Sequence, residues 1–169
     1  RRHQTQGQDP EQDFLKRFEA IDTTGFPDSD KLNQQLMVRQ LKDALRSYDL
    51  KLYEMPLDQM SGVHIALAGF VSSIPFNSTR EYDDYLARLK AVPKLFDQVT
   101  AVARQGMADK MMPPKYLLEK VVKQIASIEQ PGGMDSVFAE PLKHFPKSVS
   151  AADQKRLHDA ILAAIDHDV

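Results

Sequence analysis

Two amphipathic stretches meet at a proline, and that junction limits the folds open to this chain. Ser78 and Glu81 match a capping box, in which each side chain satisfies the other residue's free backbone N–H. Tyr82, Tyr85, Leu86, Leu89 and Val92 then recur at three and four residues and give one apolar face. Pro93 has no N–H to offer the Leu89 carbonyl, so the helix must kink there or restart. Phe96, Val99, Val102 and Ala103 carry the stripe to Gly106, a candidate helix stop, and Pro113-Pro114 opens another helix. A chain punctuated in this way buries its apolar faces by stacking helices.

The remaining segments follow the same period. Residues 1–8 are polar and aperiodic and are expected to be a disordered tail, with Asp9-Pro10 starting the first helix. Phe14, Leu15, Phe18 and Ile21 form its stripe, and Gly25-Phe26-Pro27 breaks it. Ser29 or Asp30 is the candidate cap of a long amphipathic helix carrying Leu32, Leu36, Met37, Leu41, Leu45, Tyr48 and Leu52. From Leu57 to Phe76 charge is scarce. Met60, Val63, His64, Leu67, Phe70 and Val71 keep a helical period despite Gly62 and Gly69, which gives one or two short buried helices, with a buried strand as the alternative. Leu117, Leu118, Val121, Ile125 and Ile128 mark a helix ended by Pro131-Gly132-Gly133. Met134 to Ser148 has no clear period and reads as a loop with at most one helical turn. Ser150 and Asp153 open a last helix with Leu157, Ile161, Ala164 and Ile165. The expected fold is all-α, an irregular array of about six to eight helices forming one helical domain over 9–169.

Composition excludes several classes. Net charge is −2, with 27% charged and 42% hydrophobic residues, so the chain has enough apolar material for a core but no basic face for nucleic acid. The absence of cysteine removes disulfides, thiolate zinc sites and a cysteine nucleophile. No apolar run approaches the roughly 20 residues a membrane-spanning helix needs. The sequence begins at Arg1 and stops at Val169 inside an intact apolar period, which is the pattern expected of a processed lobe of a longer protein.

No complete catalytic or metal-binding set emerges from the spacing. His158 and His167 share a helix, but nine residues at about 100° each leave them on opposite faces. There is no HExxH. Asp166-His167-Asp168 resembles a triad only on paper, because adjacent helical side chains diverge. Glu81, Asp83 and Asp84 suit the positive end of a helix dipole, and the methionines at 107, 111 and 112 suit core or loop packing. His64 stands apart, since it lies on the apolar face of the charge-poor segment. A hydrogen-bonded core histidine is the commoner outcome at such a position, and a cleft-lining histidine is the functional alternative.

The central stretch, read as Pro75, Phe76, Ser78, Tyr82, Tyr85, Leu86, Arg88, Leu89, Pro93, Asp97 and Gln98, followed by Gly106 and Pro113-Pro114-Lys115, resembles a bacterial family filed as domain of unknown function 885. Pro56-Leu57-Asp58-Gln59 with Gly62 fits as well, and the resemblance runs from about Glu11 to the end. One departure is Lys110, where the family pattern has a second glycine. That family is similar to zinc metallopeptidases of the carboxypeptidase Taq type, helical proteins with a cleft.

The resemblance implies an N-terminal helical lobe that forms scaffold or a wall of a substrate channel, with a peptide as substrate. The family's zinc motif, a His-Glu with a later Pro-Gly-His, has no counterpart here. Catalytic residues, metal ligands and cofactor are therefore expected outside this chain, with zinc in the longer parent. The natural partner would be the C-terminal half, and homodimerisation through uncovered helix faces, chiefly in 57–76 and the last helix, is the expected behaviour of the lobe alone. A cell-envelope location follows from the family's commonly exported members. The alternative reading is a non-enzymatic helical binding or scaffold module.

Overall fold

The computed structural model describes residues 2–169, with side chains from Pro10 onward. Seven α-helices follow in chain order among these residues: α1 (Arg2–Glu19), α2 (Asp28–Asp49), α3 (Val63–Phe70), α4 (Thr79–Lys90), α5 (Val92–Ala108), α6 (Lys115–Glu129) and α7 (Ala151–Asp168). An isolated antiparallel bridge between Leu57 and Gly62 is the extended pairing recorded, and the fold is all-α. No described helix is long and apolar enough to cross a membrane. Where one helical domain over 9–169 is expected, the chain divides into two compact units, Arg1–Tyr53 and Glu54–Val169.

The first unit is an αα-hairpin. Helix α1 begins at Arg2 and runs through Pro10, although the sequence suggests a tail over 1–8 and a start at Asp9-Pro10. An interior proline removes the bond to the carbonyl four residues back, and the rest of the ladder continues. Gly25, at φ 78°, makes the turn into α2, which starts at Asp28 after Pro27. Half-buried positions on α2 include Gln34, Val38, Leu41, Leu45 and Tyr48, spaced at three and four residues. Gln34 Nε2 donates to the Phe18 carbonyl at 2.7 Å, and Lys42 pairs with Glu19 at 2.7 Å. Leu32 and Leu36 fall off this seam and are 54% and 47% exposed, so part of the apolar stripe remains uncovered.

The second unit holds the core, built by α4 and α7 around an irregular segment. Tyr82, Tyr85 and Leu89 of α4 and Leu157, Ile161, Ala164 and Ile165 of α7 are buried. Full burial of a Leu or Ile side chain contributes about 2 kcal/mol, so this face alone outweighs the modest propensity of either helix. Between them runs a 3₁₀ segment, Val137–Leu142, with Phe138, Ala139, Pro141 and Leu142 buried. The sequence suggests a loop here; its apolar residues instead form part of the core. Phe76 packs against Tyr82 and Tyr85 with ring centroids 4.9 Å and 5.2 Å apart, and Phe145 stacks on Tyr82 at 4.8 Å. The last helix, expected to expose apolar surface, buries it here.

Helix boundaries show how local chemistry acts. Ser78 precedes α4 without a side-chain cap, and Glu81 accepts the Asn77 N–H, so the capping box is not closed. Ser150 does cap α7, accepting from the Asp153 N–H at 3.2 Å. At Pro93 the helix restarts: α4 ends at Lys90, Ala91 turns, and Pro93 occupies the first turn of α5, where its missing N–H is harmless.

Gly106 lies inside α5 and stops nothing. A Cβ there would strike the Glu54 carbonyl oxygen and come within 2.9 Å of the Met111 carbonyl oxygen, so the residue permits a close backbone approach. The stop comes later. Lys110 takes φ 61°, with Lys110 N bonded to Met107 O at 3.2 Å and Met111 N to Gly106 O at 2.7 Å, the two bonds of a Schellman motif. Lysine thus holds a left-handed conformation that glycine adopts at no steric cost.

These two positions respond oppositely to substitution. Gly106→Ala is expected to destabilise by about 2 kcal/mol or more, because the opposing atoms are backbone. Lys110→Gly is expected to stabilise by about 0.5–1 kcal/mol by relieving the left-handed strain. Urea unfolding of both variants checks this, and a destabilising Lys110→Gly would contradict the motif.

Candidate functional site

The approach to α3 is a tight hairpin. The Asp58 carboxylate accepts the N–H groups of Met60 at 2.6 Å and Ser61 at 2.8 Å, and the Ser61 hydroxyl at 2.6 Å. Asp58 N donates to Ser61 O at 3.1 Å, and Leu57 bridges Gly62. Gly62, at φ 129°, turns the chain into α3 and puts His64 on its first turn. A Cβ at Gly62 would sit 3.0 Å from His64 Nδ1, so this glycine both supplies the turn and leaves room for the imidazole.

His64 is 3% exposed. Its Nε2 lies 3.3 Å from Gln124 Oε1 on α6, and Gln124 Nε2 donates to the Gln59 carbonyl at 3.0 Å. With the amide so oriented, neutral His64 carries its proton on Nε2 and leaves Nδ1 as an acceptor. Nδ1 has no hydrogen-bond partner among the described residues. Both readings of His64 meet here: half of the ring is satisfied in the core, and half is not. Beside it lies a cavity of about 210 Å³, lined by His64, Leu67, Phe96, Ile125, Ile128, Glu129, Phe138 and Val169. The lining is apolar apart from His64 and Glu129, the composition of a pocket that selects an apolar group.

The other candidate groups are dispersed by the fold. Glu81 accepts the Asn77 N–H, Asp83 receives a two-pronged bond from Arg156 at 2.8 Å and 3.2 Å, and Asp84 pairs with Arg80 at 3.9 Å. Asp166 accepts the Gly133 N–H at 3.0 Å, while the His167 side chain is 92% exposed, so the DHD run forms no triad. Met107 and Met112 are 59% and 48% exposed, Met107 at the end of α5 and Met112 in the loop between α5 and α6. Burial pushes the Tyr82 and Tyr85 hydroxyls upward, and both donate to backbone carbonyls. Among the described residues no group of three or more His, Cys, Asp or Glu side chains is arranged to hold a metal ion.

Gln124 and Gln59 are the site residues that periodicity misses. Gln124 occupies a half-buried position between Val121 and Ile125, a polar residue on the inward side of an otherwise apolar stripe. Gln124→Leu would leave the Gln59 carbonyl and the His64 N–H without partners, and is expected to cost about 1–3 kcal/mol in a denaturant midpoint measurement.

The Asp58 carboxyl is held below its ordinary 3.8, first by the Ser61 hydroxyl and then by the Met60 and Ser61 amides. Asp153 is lowered by Ser150 and then Arg156. For a lowered carboxyl, the stabilisation is present above 3.8 and is lost as pH falls through the folded value. An NMR acid titration should therefore give Asp58 and Asp153 midpoints below 3.8, with the 57–62 amides shifting alongside Asp58.

A family model described as bacterial protein of unknown function (DUF885) matches residues 1–169. Comparison with curated proteins returned no match, and comparison with solved structures returned none either. With the match spanning the sequence, the chain belongs to the bacterial DUF885 family.

Proposed function

We propose that this chain is the substrate-side helical lobe of a zinc-metallopeptidase-like bacterial protein, binding a peptide side chain while residues elsewhere in a longer parent carry the metal chemistry. The observation supporting this is the apolar cavity beside His64. A cavity near 150 Å³ accepts benzene, so about 210 Å³ has room for a leucine or phenylalanine side chain. Among the described residues His64 hydrogen-bonds to the Gln124 amide, a contact that suits orientation and not proton transfer.

Titration with N-acetyl-leucinamide and N-acetyl-phenylalaninamide, followed by methyl NMR of Leu67, Ile125 and Ile128, tests the binding role. Saturable shifts are expected with both and not with the alanine analogue. Ile125→Phe, which fills the cavity, should remove them while unfolding cooperatively. No saturable shift with any probe would end the peptide reading. Zinc content and peptide hydrolysis of the longer parent, beside this chain, test the enzymatic half. Zinc and turnover only in the parent support it; neither metal nor turnover leaves a non-enzymatic binding module. His64→Leu leaving the parent's turnover untouched would remove His64 from the site.

A further inference from the structure

A second concavity in the 54–169 unit differs from the His64 cavity in its charge. It is an open groove of about 560 Å³ between α3 and the junction of α4 with α5. One wall is Val63, Ala66, Leu67 and Phe70, the i, i+3, i+4, i+7 set of a single helix face. Val92 and Leu95 of α5 form the other, with Leu95 36% exposed. Arg88 and Lys94 are the charged residues lining the groove, and no acidic side chain lines it. Both cations are exposed, and among the described residues neither is held by an ion pair or side-chain hydrogen bond. Asp83 is engaged by Arg156 and Asp84 by Arg80, and Asp97, three residues after Lys94, does not line the groove. On a chain of net charge −2, an apolar groove whose charged lining residues are both cations selects its occupant by sign.

We propose that this groove docks an amphipathic helical segment of a partner protein, whose apolar edge enters between α3 and α5 and whose Asp or Glu side chains pair with Arg88 and Lys94. The α3 wall extends about 10 Å along its axis, two turns of a docked helix. Inserting an apolar ridge between two helices is the usual way a third helix packs on a pair. Arg88 can grip a carboxylate with two parallel N–H groups, and Lys94 adds a mobile point charge. The proposal does not rest on the peptide side-chain role of the His64 cavity.

The test uses three probes on the intact chain: a leucine-edged helical peptide flanked by glutamates, the same peptide flanked by lysines, and decanoate. The glutamate peptide is expected to bind, more weakly as salt rises. The double variant Arg88→Gln/Lys94→Gln should weaken it about fivefold, the loss of two exposed ion pairs. Leu95→Glu should abolish binding, with thermal unfolding of both variants staying cooperative. Equal binding of the lysine peptide, or no effect of the double variant, would overturn the proposal. So would decanoate binding with the same variant sensitivity, or a dimer of this chain that Leu95→Glu disperses.

Discussion

The larger unit depends on two tyrosine hydroxyls. Its core encloses a 3₁₀ segment containing a proline, whose carbonyls would otherwise be buried without partners. Tyr82 donates to Pro141 O at 3.0 Å and Tyr85 to Phe138 O at 2.7 Å. The match is geometric. In a 3₁₀ helix residues three apart eclipse, so the carbonyls of 138 and 141 face the same way about 6 Å apart. Two side chains three apart on α4 rise about 4.5 Å along its axis, close enough for both hydroxyls to reach. The pairing crosses over, 82 with 141 and 85 with 138, so segment and helix run antiparallel. Phe70, Phe76 and Phe145 then pack around these rings and keep water from both bonds.

This explains which parts of the fold were legible in the sequence. The long helices follow from periodicity, because a face that meets one partner needs a repeating apolar position. The 134–148 segment does not. Its buried residues are held by bonds from a helix more than fifty positions away, and no local repeat encodes them. The same contrast separates Gly106 from Lys110. A glycine before a polar turn looks like a helix stop, yet Gly106 answers to the Glu54 backbone. The true stop sits on a lysine, because the two Schellman bonds compensate its positive φ.

At the candidate site, His64 was legible as a histidine on an apolar face, but its partners were not. Gln59 and Gln124 lie 65 residues apart and meet through one amide. A polar residue interrupting the stripe of α6 was the available signal, and only a tertiary contact gives it meaning. The residues that carry the resemblance in the sequence are helix-shaping for the same reason. Prolines, glycines and tyrosines fix how helices turn and stack.

The His64 cavity and the cationic groove are not separate features of the surface. Leu67 lines both, so α3 is a wall common to the two. This helix spans eight residues, too few to be stable by its own hydrogen bonds. It is held at its start by the Asp58 hairpin and the His64–Gln124 contact, and at its far end by Phe70 against Tyr85. A group entering either concavity meets the Leu67 side chain. The position of α3 therefore sets the width of both at once, and the hydrogen bonds that fix it, through Asp58, Gln59 and Gln124, govern the shape of each.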